Sequence, residues 1–409
     1  MSKVGVFHDV TGLFGGIGGL ELGLGRAGHR ATMFCECDAE AVSVLRSRFA
    51  DVPVALDVRE TDALLETISP TSDLLTAGFP CTDFSQAGTT KGFDGGRSSL
   101  IIDTLRLLER RRFENVLLEN VPNWRQLHKG AYMRWVVEAL EAMGYRWAYR
   151  TIDARAFGLP QRRLRLFLFA TLTGDPREAL FHGNEAPDDR AFALHEAAHG
   201  FYWTEGKTGI GWGESCVPTL KGGSALSIPS PPAILMGDGQ VITPEIRDCE
   251  RLQGFPAGWT DLPERNADVG GGPFKQRRRW LLAGNAVNVE VAHWLGERLS
   301  ARVAVDLDAG TELNAGAAWP AAAWFDGSKR RSVPLGTWPV ARTSRPLADF
   351  LRFPGAPLSL RATNGFYKRI MASSLRFKPG FVHAIGAHLS RMERNASDVA
   401  PRELLSDAA

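Results

Sequence analysis

Apolar positions in the first 170 residues fall into short runs separated by stretches of helical length. The runs have the length of buried strands and lie at residues 4–10, 32–35, 73–77, 116–118 and 164–170. A glycine-rich turn at residues 15–19 separates the first run from a helical stretch at residues 20–27. Strands that alternate with helices in this way predict an α/β fold with a doubly wound, Rossmann-like sheet.

The pattern changes after residue 171. Residues 172–240 are rich in Gly, Pro and polar residues, and a regular pattern returns at residues 241–305. An Ala/Gly-rich stretch predicts a linker at residues 306–326. We expect a basic C-terminal extension at residues 327–395 and a disordered tail at residues 396–409.

Composition and charge narrow the class of protein. Of the 409 residues, 44% are hydrophobic and 23% are charged, which is typical of globular proteins. The chain has neither an apolar run of the roughly 20 residues that span a bilayer nor an N-terminal signal peptide pattern, so we expect a cytoplasmic protein without a membrane segment. The net charge of +2 is uninformative, but residues 327–394 contain thirteen Lys or Arg residues and two acids.

The glycine-rich turn indicates a ligand site. Glycines let a ligand approach the backbone, and the N-terminus of the following helix offers free N–H groups. Glu36 lies twenty residues beyond Gly16, after the next predicted strand, where a carboxylate can hold two ribose hydroxyls. This motif alone does not distinguish S-adenosylmethionine from NAD, and a tight turn without a ligand would give a similar pattern.

The sequence Gly78-Phe79-Pro80-Cys81 follows a predicted strand, where ligands of such sheets bind. A cysteine thiolate there is a candidate nucleophile for an electron-poor ring carbon. The five cysteines are odd in number and form no CxxC pair, so we expect neither a zinc site nor a disulfide framework. An isolated Pro-Cys pair is more often structural, and the interpretation depends on its neighbours.

Two further motifs add chemistry to the cysteine. Glu119 ends a predicted strand, where a carboxyl of raised pKa can act as a general acid. Arg163 and Arg165 alternate at the start of another strand, so they share one face and can hold a phosphate or a base carbonyl. In isolation, each motif would be explained equally well by an ordinary charged surface.

Together these motifs resemble the DNA (cytosine-5) methyltransferases of bacterial restriction-modification systems. The resemblance covers residues 13–299, except residues 172–240, and its blocks follow the family's order. The blocks are Phe-Gly-Gly-Ile-Gly-Gly from Phe14, Pro80-Cys81, Glu-Asn-Val from Glu119, Gln-Arg-Arg-Leu-Arg from Gln161, Arg-Leu-Gln-Gly-Phe-Pro from Arg251, and Gly-Asn-Ala-Val from Gly284.

The resemblance implies methyl transfer from S-adenosylmethionine to carbon 5 of a cytosine flipped out of duplex DNA. In this scheme Cys81 attacks C6, Glu119 acts on N3, and Arg163 and Arg165 hold the flipped base and its phosphate. The implied cofactor-binding residues are Phe14, Gly16, Ile17, Gly18, Gly19, Glu36, Asp57, Val58, Asn285 and Val287, with no metal.

The resemblance also implies a division of labour along the chain. Residues 1–171 and 241–305 would form the catalytic domain, and residues 172–240 a smaller target-recognition domain. The implied partners are double-stranded DNA and a cognate restriction endonuclease encoded elsewhere, and we expect a monomer. The basic extension is either a further DNA-contacting element, which we favour, or a small packed appendage with a solvated basic face.

Two positions depart from the family pattern, in which Gly12 is usually Asp and Thr82 is often Gln. Three alternatives stay open on the sequence alone. An RNA cytosine-5 methyltransferase has a distinctive tripeptide after Glu-Asn-Val that this chain lacks. A catalytically inactive DNA-binding relative would be expected to lose Cys81, Glu119 or the arginines, and a dinucleotide oxidoreductase explains the glycine turn alone.

Overall fold

The protein is described by a computed structural model that covers residues 5–80, 100–221, 231–262, 275–301, 303–314 and 316–406, with side chains of the last helix described to residue 397. The strands are β1 Asp9–Leu13, β2 Arg30–Cys35, β3 Val54–Ala55, β4 Leu74–Ala77, β5 Asn115–Asn120, β6 Arg146–Asp153, β7 Leu164–Thr171, β8 His199–Phe201, β9 Ala233–Leu235, β10 Val241–Thr243, β11 Thr311–Glu312, β12 Ala322–Phe325, β13 Arg330–Ser332 and β14 Ala356–Pro357. The α-helices are α1 Gly19–Arg26, α2 Ala39–Arg48, α3 Thr61–Thr67, α4 Leu100–Arg110, α5 Ala131–Ala142, α6 Ile246–Leu252, α7 Gln276–Asn285, α8 Val289–Ala301, α9 Leu347–Phe350, α10 Leu360–Met371 and α11 Phe381–Ser406.

The large sheet has the strand order β11-β13-β12-β6-β7-β5-β4-β1-β2-β3. Strands β3, β2, β1, β4 and β5 are parallel, and β7 runs antiparallel to β5. The chain moves outward from β1 to β3 and then returns to add β4 and β5 on the other side of β1. This doubly wound topology confirms the predicted fold class, and it places the ligand crevice at the carboxyl ends of β1 and β4.

Two apolar cores cover the two faces of this sheet. One contains Leu105 of α4 and Val136 of α5, and the other contains Leu24 of α1 and Leu295 of α8. Helices α1 and α8 approach so closely that a β-carbon on Gly23 would lie 2.4 Å from the β-carbon of Ala292. Only glycine at position 23 allows this packing. The predicted strand at residues 4–10 is wrong in its position, since β1 occupies Asp9–Leu13, where it pairs with both β2 and β4.

The expectation of a linker at residues 306–326 is wrong. Strand β12 pairs antiparallel with β6, matching Phe325 with Trp147, and β13 and β11 continue the large sheet beyond it. Small residues in this stretch suggested a junction, but Ala322 and Ala323 are buried against the sheet. The alanines therefore mark a tightly packed edge strand rather than a flexible connection.

A second, four-stranded sheet has the order β14-β10-β9-β8, with all neighbours antiparallel. Three of its strands lie between residues 199 and 243, and the fourth, β14, comes from the C-terminal part of the chain. Helices α10 and α11 pack against this sheet through Phe366 and Phe381, both fully buried. We call residues 193–243 and 347–397 together the small domain. Within the described parts of the chain, none of the helices has the length and apolar character needed to cross a bilayer.

Candidate active site

The glycine turn lies at the carboxyl end of β1 and has an unusual backbone. Phe14 has φ of 56°, which is strained for an aromatic residue, and Gly16 has φ of 54°. A β-carbon on Gly16 would meet nothing within 4 Å, so open space adjoins the backbone there. Gly18 starts α1 in the left-handed conformation. The turn therefore leaves room for a ligand against its backbone, as the sequence predicts.

Glu36 lies directly beyond the end of β2 and is linked to this turn. Its carboxylate accepts hydrogen bonds from the backbone N–H of Gly16 at 2.8 Å and from that of Asp38 at 2.7 Å. Burial raises the pKa of Glu36, and these two donors oppose the shift. The carboxylate is thereby fixed beside the open space at Gly16, with its other lone pairs available to hydroxyl groups.

The late block of the sequence folds onto the same turn. A β-carbon on Gly19 would lie 2.3 Å from the carbonyl oxygen of Val287, so only glycine allows this approach. Asn285 ends α7 and is exposed, whereas Val287 is half-buried. The structure therefore brings Val287 to the glycine turn, with Asn285 two positions before it, although both are more than 260 positions away in sequence.

Asp57 and Val58 follow β3, beside the end of β2. Val58 is buried, and the Asp57 carboxylate pairs with Arg59 at 2.5 Å, which lowers its pKa. All the predicted cofactor residues therefore occur at this edge of the sheet or on the segment packed against it. We call this region, formed by the ends of β1 to β5, the carboxyl edge.

Glu119 is the penultimate residue of β5 and is 8% exposed. Its Oε1 lies 2.9 Å from Nε of Arg165, which stands at the start of the antiparallel strand β7. Burial raises the pKa of Glu119 and outweighs the attraction of Arg165 and Arg163, which lowers it. A carboxyl with a raised pKa keeps its proton to higher pH than an ordinary carboxyl does, and it can donate that proton to a substrate atom.

The segment that leads to Cys81 is anchored beside Glu119. Strand pairing sets Ala77 opposite Leu118, and a β-carbon on Gly78 would lie 3.5 Å from Oε2 of Glu119. The amide of Asn120 then donates to the carbonyl of Phe79 at 3.2 Å. Cys81 itself, with Thr82 and the rest of residues 81–99, lies outside the described residues.

Arg163 occupies a different place from the one its predicted role requires. It is 2% exposed, and its guanidinium donates to the carbonyls of Leu220, Gly284 and Ala286 at 3.2, 3.2 and 2.7 Å. These bonds tie β7 to the segment before residue 222 and to the turn that carries Asn285. Arg163 therefore positions two walls of the site, while Arg165 is the arginine that contacts Glu119.

The departure at Gly12 has a structural counterpart. A β-carbon on Gly12 would lie 2.4 Å from Oε1 of Glu21, so the carboxyl of α1 fills the space that a side chain at position 12 would need. Glu21 is 4% exposed, accepts a hydrogen bond from Thr76 at 2.9 Å, and leaves its Oε2 without a partner. Burial raises the pKa of Glu21 to about 7. An acidic group is thus present near β1, but a helix supplies it.

Two residues of the site were not predicted. Asn120 stands within the Glu-Asn-Val block, so its position next to Glu119 was a usable signal for its role in anchoring Phe79. Trp259 donates from its indole nitrogen to the carbonyl of Ile17 at 2.9 Å. Nothing local in the sequence marks Trp259, because the contact joins residues 242 positions apart.

Comparisons with known proteins identify relatives of this chain. The sequence profile of the C-5 cytosine-specific DNA methylases matches residues 9–197. The Type II methyltransferase M2.BsuMI of Bacillus subtilis (strain 168) is 41% identical over 387 residues, which cover 92% of this chain and 97% of that protein. The Type II methyltransferase M.NlaX of Neisseria lactamica is 30% identical over 328 residues, which cover 73% of this chain and 98% of that protein.

Among solved structures, the S. pombe Dnmt2 methyltransferase superposes with a TM-score of 0.53 at 16% identity, covering 71% of this chain and 98% of that one. At this identity the likeness concerns the fold alone. The M.NlaX match takes in nearly all of that protein yet leaves about a quarter of this chain without a counterpart, whereas the M2.BsuMI match extends over nearly the whole chain.

Proposed function

The chain belongs to the C-5 cytosine-specific DNA methylases, which use S-adenosylmethionine, and from this premise we propose that it methylates a cytosine within a specific duplex DNA site through a covalent Cys81 intermediate. The observation that carries the proposal is the ion pair between the buried Glu119 and the half-buried Arg165, beside the anchored Phe79-Pro80 segment. The reaction is that of a DNA (cytosine-5-)-methyltransferase.

Cys81 is the nucleophile in this mechanism. It follows Pro80 directly in the sequence, and the carbonyl of Phe79, two positions earlier, accepts the hydrogen bond from Asn120. Burial raises the pKa of all four described cysteines, to about 12 for Cys35 and to about 11 for Cys216, which disfavours a thiolate at those positions. Addition of the Cys81 thiolate to C6 of cytosine makes C5 nucleophilic, and loss of the C5 proton later expels the thiolate.

Glu119 holds the proton at N3 of the flipped cytosine. When Cys81 adds to C6, negative charge develops on the ring, and a protonated carboxyl at N3 neutralises it. Arg165 contacts Glu119 and, from the same strand end, can also contact the base or its phosphate. Arg163 acts as a positioning residue because its donors are directed to backbone carbonyls.

The carboxyl edge fits S-adenosylmethionine, which supplies an electrophilic methyl group on sulfur when it is bound. The open space at Gly16 accommodates the methionine part, and Glu36 offers carboxylate oxygens to the ribose. Phe14 and Val58 lie at the strand ends where they can enclose the adenine. Asn285 and Val287 close the site from the late block, and the Gly18-Gly19 backbone supports the start of α1.

Target recognition belongs to the small domain, which contains most of residues 172–240. The target cytosine cannot be reached inside the stack, so the DNA must be held and the base extruded at a cost of a few kcal/mol. The proposed partner is a cognate restriction endonuclease encoded elsewhere. Methylation of the target cytosine would protect the DNA from cleavage by that endonuclease. The protein needs no second subunit to complete the described site, so we propose that it acts as a monomer.

Bisulfite sequencing of DNA from cells that express this chain tests the proposal. We expect protected cytosines at one short recurring sequence, and none in cells with a chain that carries Cys81→Ala. If purified protein labels tRNA from tritiated S-adenosylmethionine and leaves duplex DNA unlabelled, the substrate is RNA. If it binds a defined duplex but labels neither nucleic acid, the chain is an inactive relative.

A further inference from the structure

Residues 327–397, which we call the C-terminal segment, include the second half of the small domain, residues 347–397. Strand β14 completes its sheet, pairing Pro357 with Ile242 and Ala356 with Thr243, and the N–H of Leu358 donates to the carbonyl of Val241 at 2.9 Å. The core beneath combines strand residues with residues of α10 and α11. Its fully buried members from the two parts are Phe201, Ala233, Val241, Phe366, Phe381 and Ile385.

Buried polar contacts join the same two parts. His388 of α11 accepts from the N–H of Val241 at 3.4 Å, and its other ring nitrogen lies 3.1 Å from the carbonyl of Leu358. Burial lowers the pKa of His388, which favours the neutral ring that these contacts require. The ammonium of Lys378 lies 2.7 Å from the carboxylate of Glu214. These bonds fix the helices on the sheet in one register.

The aromatic residues of this segment therefore have a structural role. Phe366 and Phe381 are fully buried, and Trp338 and Phe350 are 5% and 8% exposed. They cannot stack on DNA bases without unfolding the domain. These aromatic side chains therefore belong to the packed interior, and the cations of the extension are the groups that stay available to DNA.

Helix α10 separates its apolar and basic residues onto opposite faces. Thr363, Phe366 and Ile370 are buried, whereas Arg361 and Lys368 are exposed on the other side, two turns apart. Residues 350–392 contain seven Lys or Arg residues and no Asp or Glu. In the described parts of the chain neither Arg361 nor Lys368 forms an ion pair. We call these two residues the basic face of α10.

A series of contacts links helix α10 to the catalytic strands. Arg369, next to Lys368, donates to the carbonyls of Glu205 and Trp203 at 2.9 and 2.7 Å. The Glu205 carboxylate in turn accepts from the ammonium of Lys221 at 2.6 Å. The preceding residue is Leu220, whose carbonyl is bound by Arg163. A short chain of contacts therefore connects the C-terminal end of α10 to the strand that carries Arg165.

We propose that the C-terminal segment is an integral part of the DNA-binding domain and that the basic face of α10 contacts phosphates of duplex DNA beside the target cytosine. This inference rests on the proposed function, since it assumes that the chain binds duplex DNA. Uncompensated cations on a helix that is packed into the small domain attract a polyanion, and each neutralised phosphate releases counterions. Such contacts orient the duplex without specifying sequence.

The test compares two double variants of the full-length chain. Arg361→Ala with Lys368→Ala removes the basic face. Arg110→Ala with Arg112→Ala removes two exposed cations at the end of α4, which precedes the amino end of β5 and so lies at the opposite edge of the sheet. The dissociation constant for a duplex that carries the methylated sequence is measured between about 50 and 200 mM salt.

For the basic-face variant, the plot of log affinity against log salt should be shallower by about two units. Its loss of affinity relative to the parent should therefore be roughly tenfold larger at the lowest salt than at the highest. The KM for DNA should rise, and the control variant should behave like the parent. All the altered residues are exposed, so melting temperatures should match; if the alanine variant melts early, Arg361→Gln with Lys368→Gln replaces it.

An unchanged slope in a folded basic-face variant would overturn the inference, and so would an equal change in the control variant. Either result leaves the proposed function intact if the parent protein methylates the duplex. If the parent neither methylates nor binds duplex DNA, the proposed function itself is wrong. Activity of the parent protein thus separates the two failures.

Discussion

The carboxyl edge of the large sheet and the small domain are assembled in opposite ways. At the edge, several of the predicted functional residues lie within two positions of a strand end, as Phe14, Glu36 and Glu119 do. In the small domain, residues more than 100 positions apart share one core, as Ile242 and Pro357 share one strand pair. The predicted catalytic and cofactor residues therefore come mainly from local motifs, whereas the small domain depends on long-range packing.

The difference explains how much of the protein could be predicted from its sequence. Strand-end motifs predicted the fold class and the residues that gather at the edge, because carboxyl ends of parallel strands meet in space. The role of the C-terminal segment could not be predicted. Its short strand β14 has two residues, and the burial of Phe366 and Phe381 depends on a partner sheet elsewhere in the chain.

The two arginines show the same limit on a smaller scale. Alternation at the start of β7 predicts that Arg163 and Arg165 share one face, and the charges of both lower the pKa of Glu119. It could not distinguish their tasks. The carbonyls that bind Arg163 belong to Leu220, Gly284 and Ala286, which are 57 to 123 positions away. The sequence places a side chain on a face, but distant backbone decides what it touches.

The largest effect is expected from truncation after Asp326. This change removes Leu358, Phe366, Ile370, Phe381 and Ile385 from the small-domain core, and each contributes about 1.5–3 kcal/mol by burial. The total is comparable to the stability of a whole domain. We expect an insoluble or partly unfolded protein without methyltransferase activity, measured by solubility, circular dichroism and methyl transfer.

A chain that ends after Ser397 is the matched control and should stay soluble and active. If the chain ending at Asp326 were soluble and methylated DNA at the rate of the parent, the claim that the small domain depends on long-range packing would be wrong. In that case the first half of the small domain would be sufficient by itself, and the C-terminal segment would be an appendage.

The next effect concerns the carboxyl edge alone. Cys81→Ser should fold and bind cofactor but methylate at least about a thousandfold more slowly, because a hydroxyl is a far weaker nucleophile than a thiolate. Single-turnover methyl transfer measures the rate, and Cys35→Ser is the control at a buried cysteine. Near-normal turnover by Cys81→Ser would rule out the covalent mechanism.

Glu119→Gln should retain DNA and cofactor binding and lose most of its rate, roughly a hundredfold or more, since an amide cannot donate the proton. The raised pKa of Glu119 adds a pH dependence. In the parent enzyme, the rate should fall as pH rises through that pKa, because the donor becomes ionised. The variant should lack this limb of the pH profile, and parallel profiles for the two proteins would show that another group supplies the proton.

The smallest effect is a change of stability beneath the carboxyl edge, where Glu21 fills the space over Gly12. Its pKa is about 7 in the folded protein and 4.5 as the unperturbed value. The folded state therefore binds more protons than the unfolded state between these pH values, so rising pH destabilises the protein across this window and has no further effect above it. The whole shift corresponds to about 3 kcal/mol.

Glu21→Gln removes this ionisation, and its stability relative to the parent should rise by up to about 3 kcal/mol from pH 5 to pH 8. The comparison between pH values is the readout, because any constant penalty from the unpartnered amide cancels. Urea unfolding at the two pH values measures it, with the exposed Glu66→Gln as a control that should follow the parent. Parallel stability profiles for the parent and Glu21→Gln would show that folding does not raise the pKa of this carboxyl.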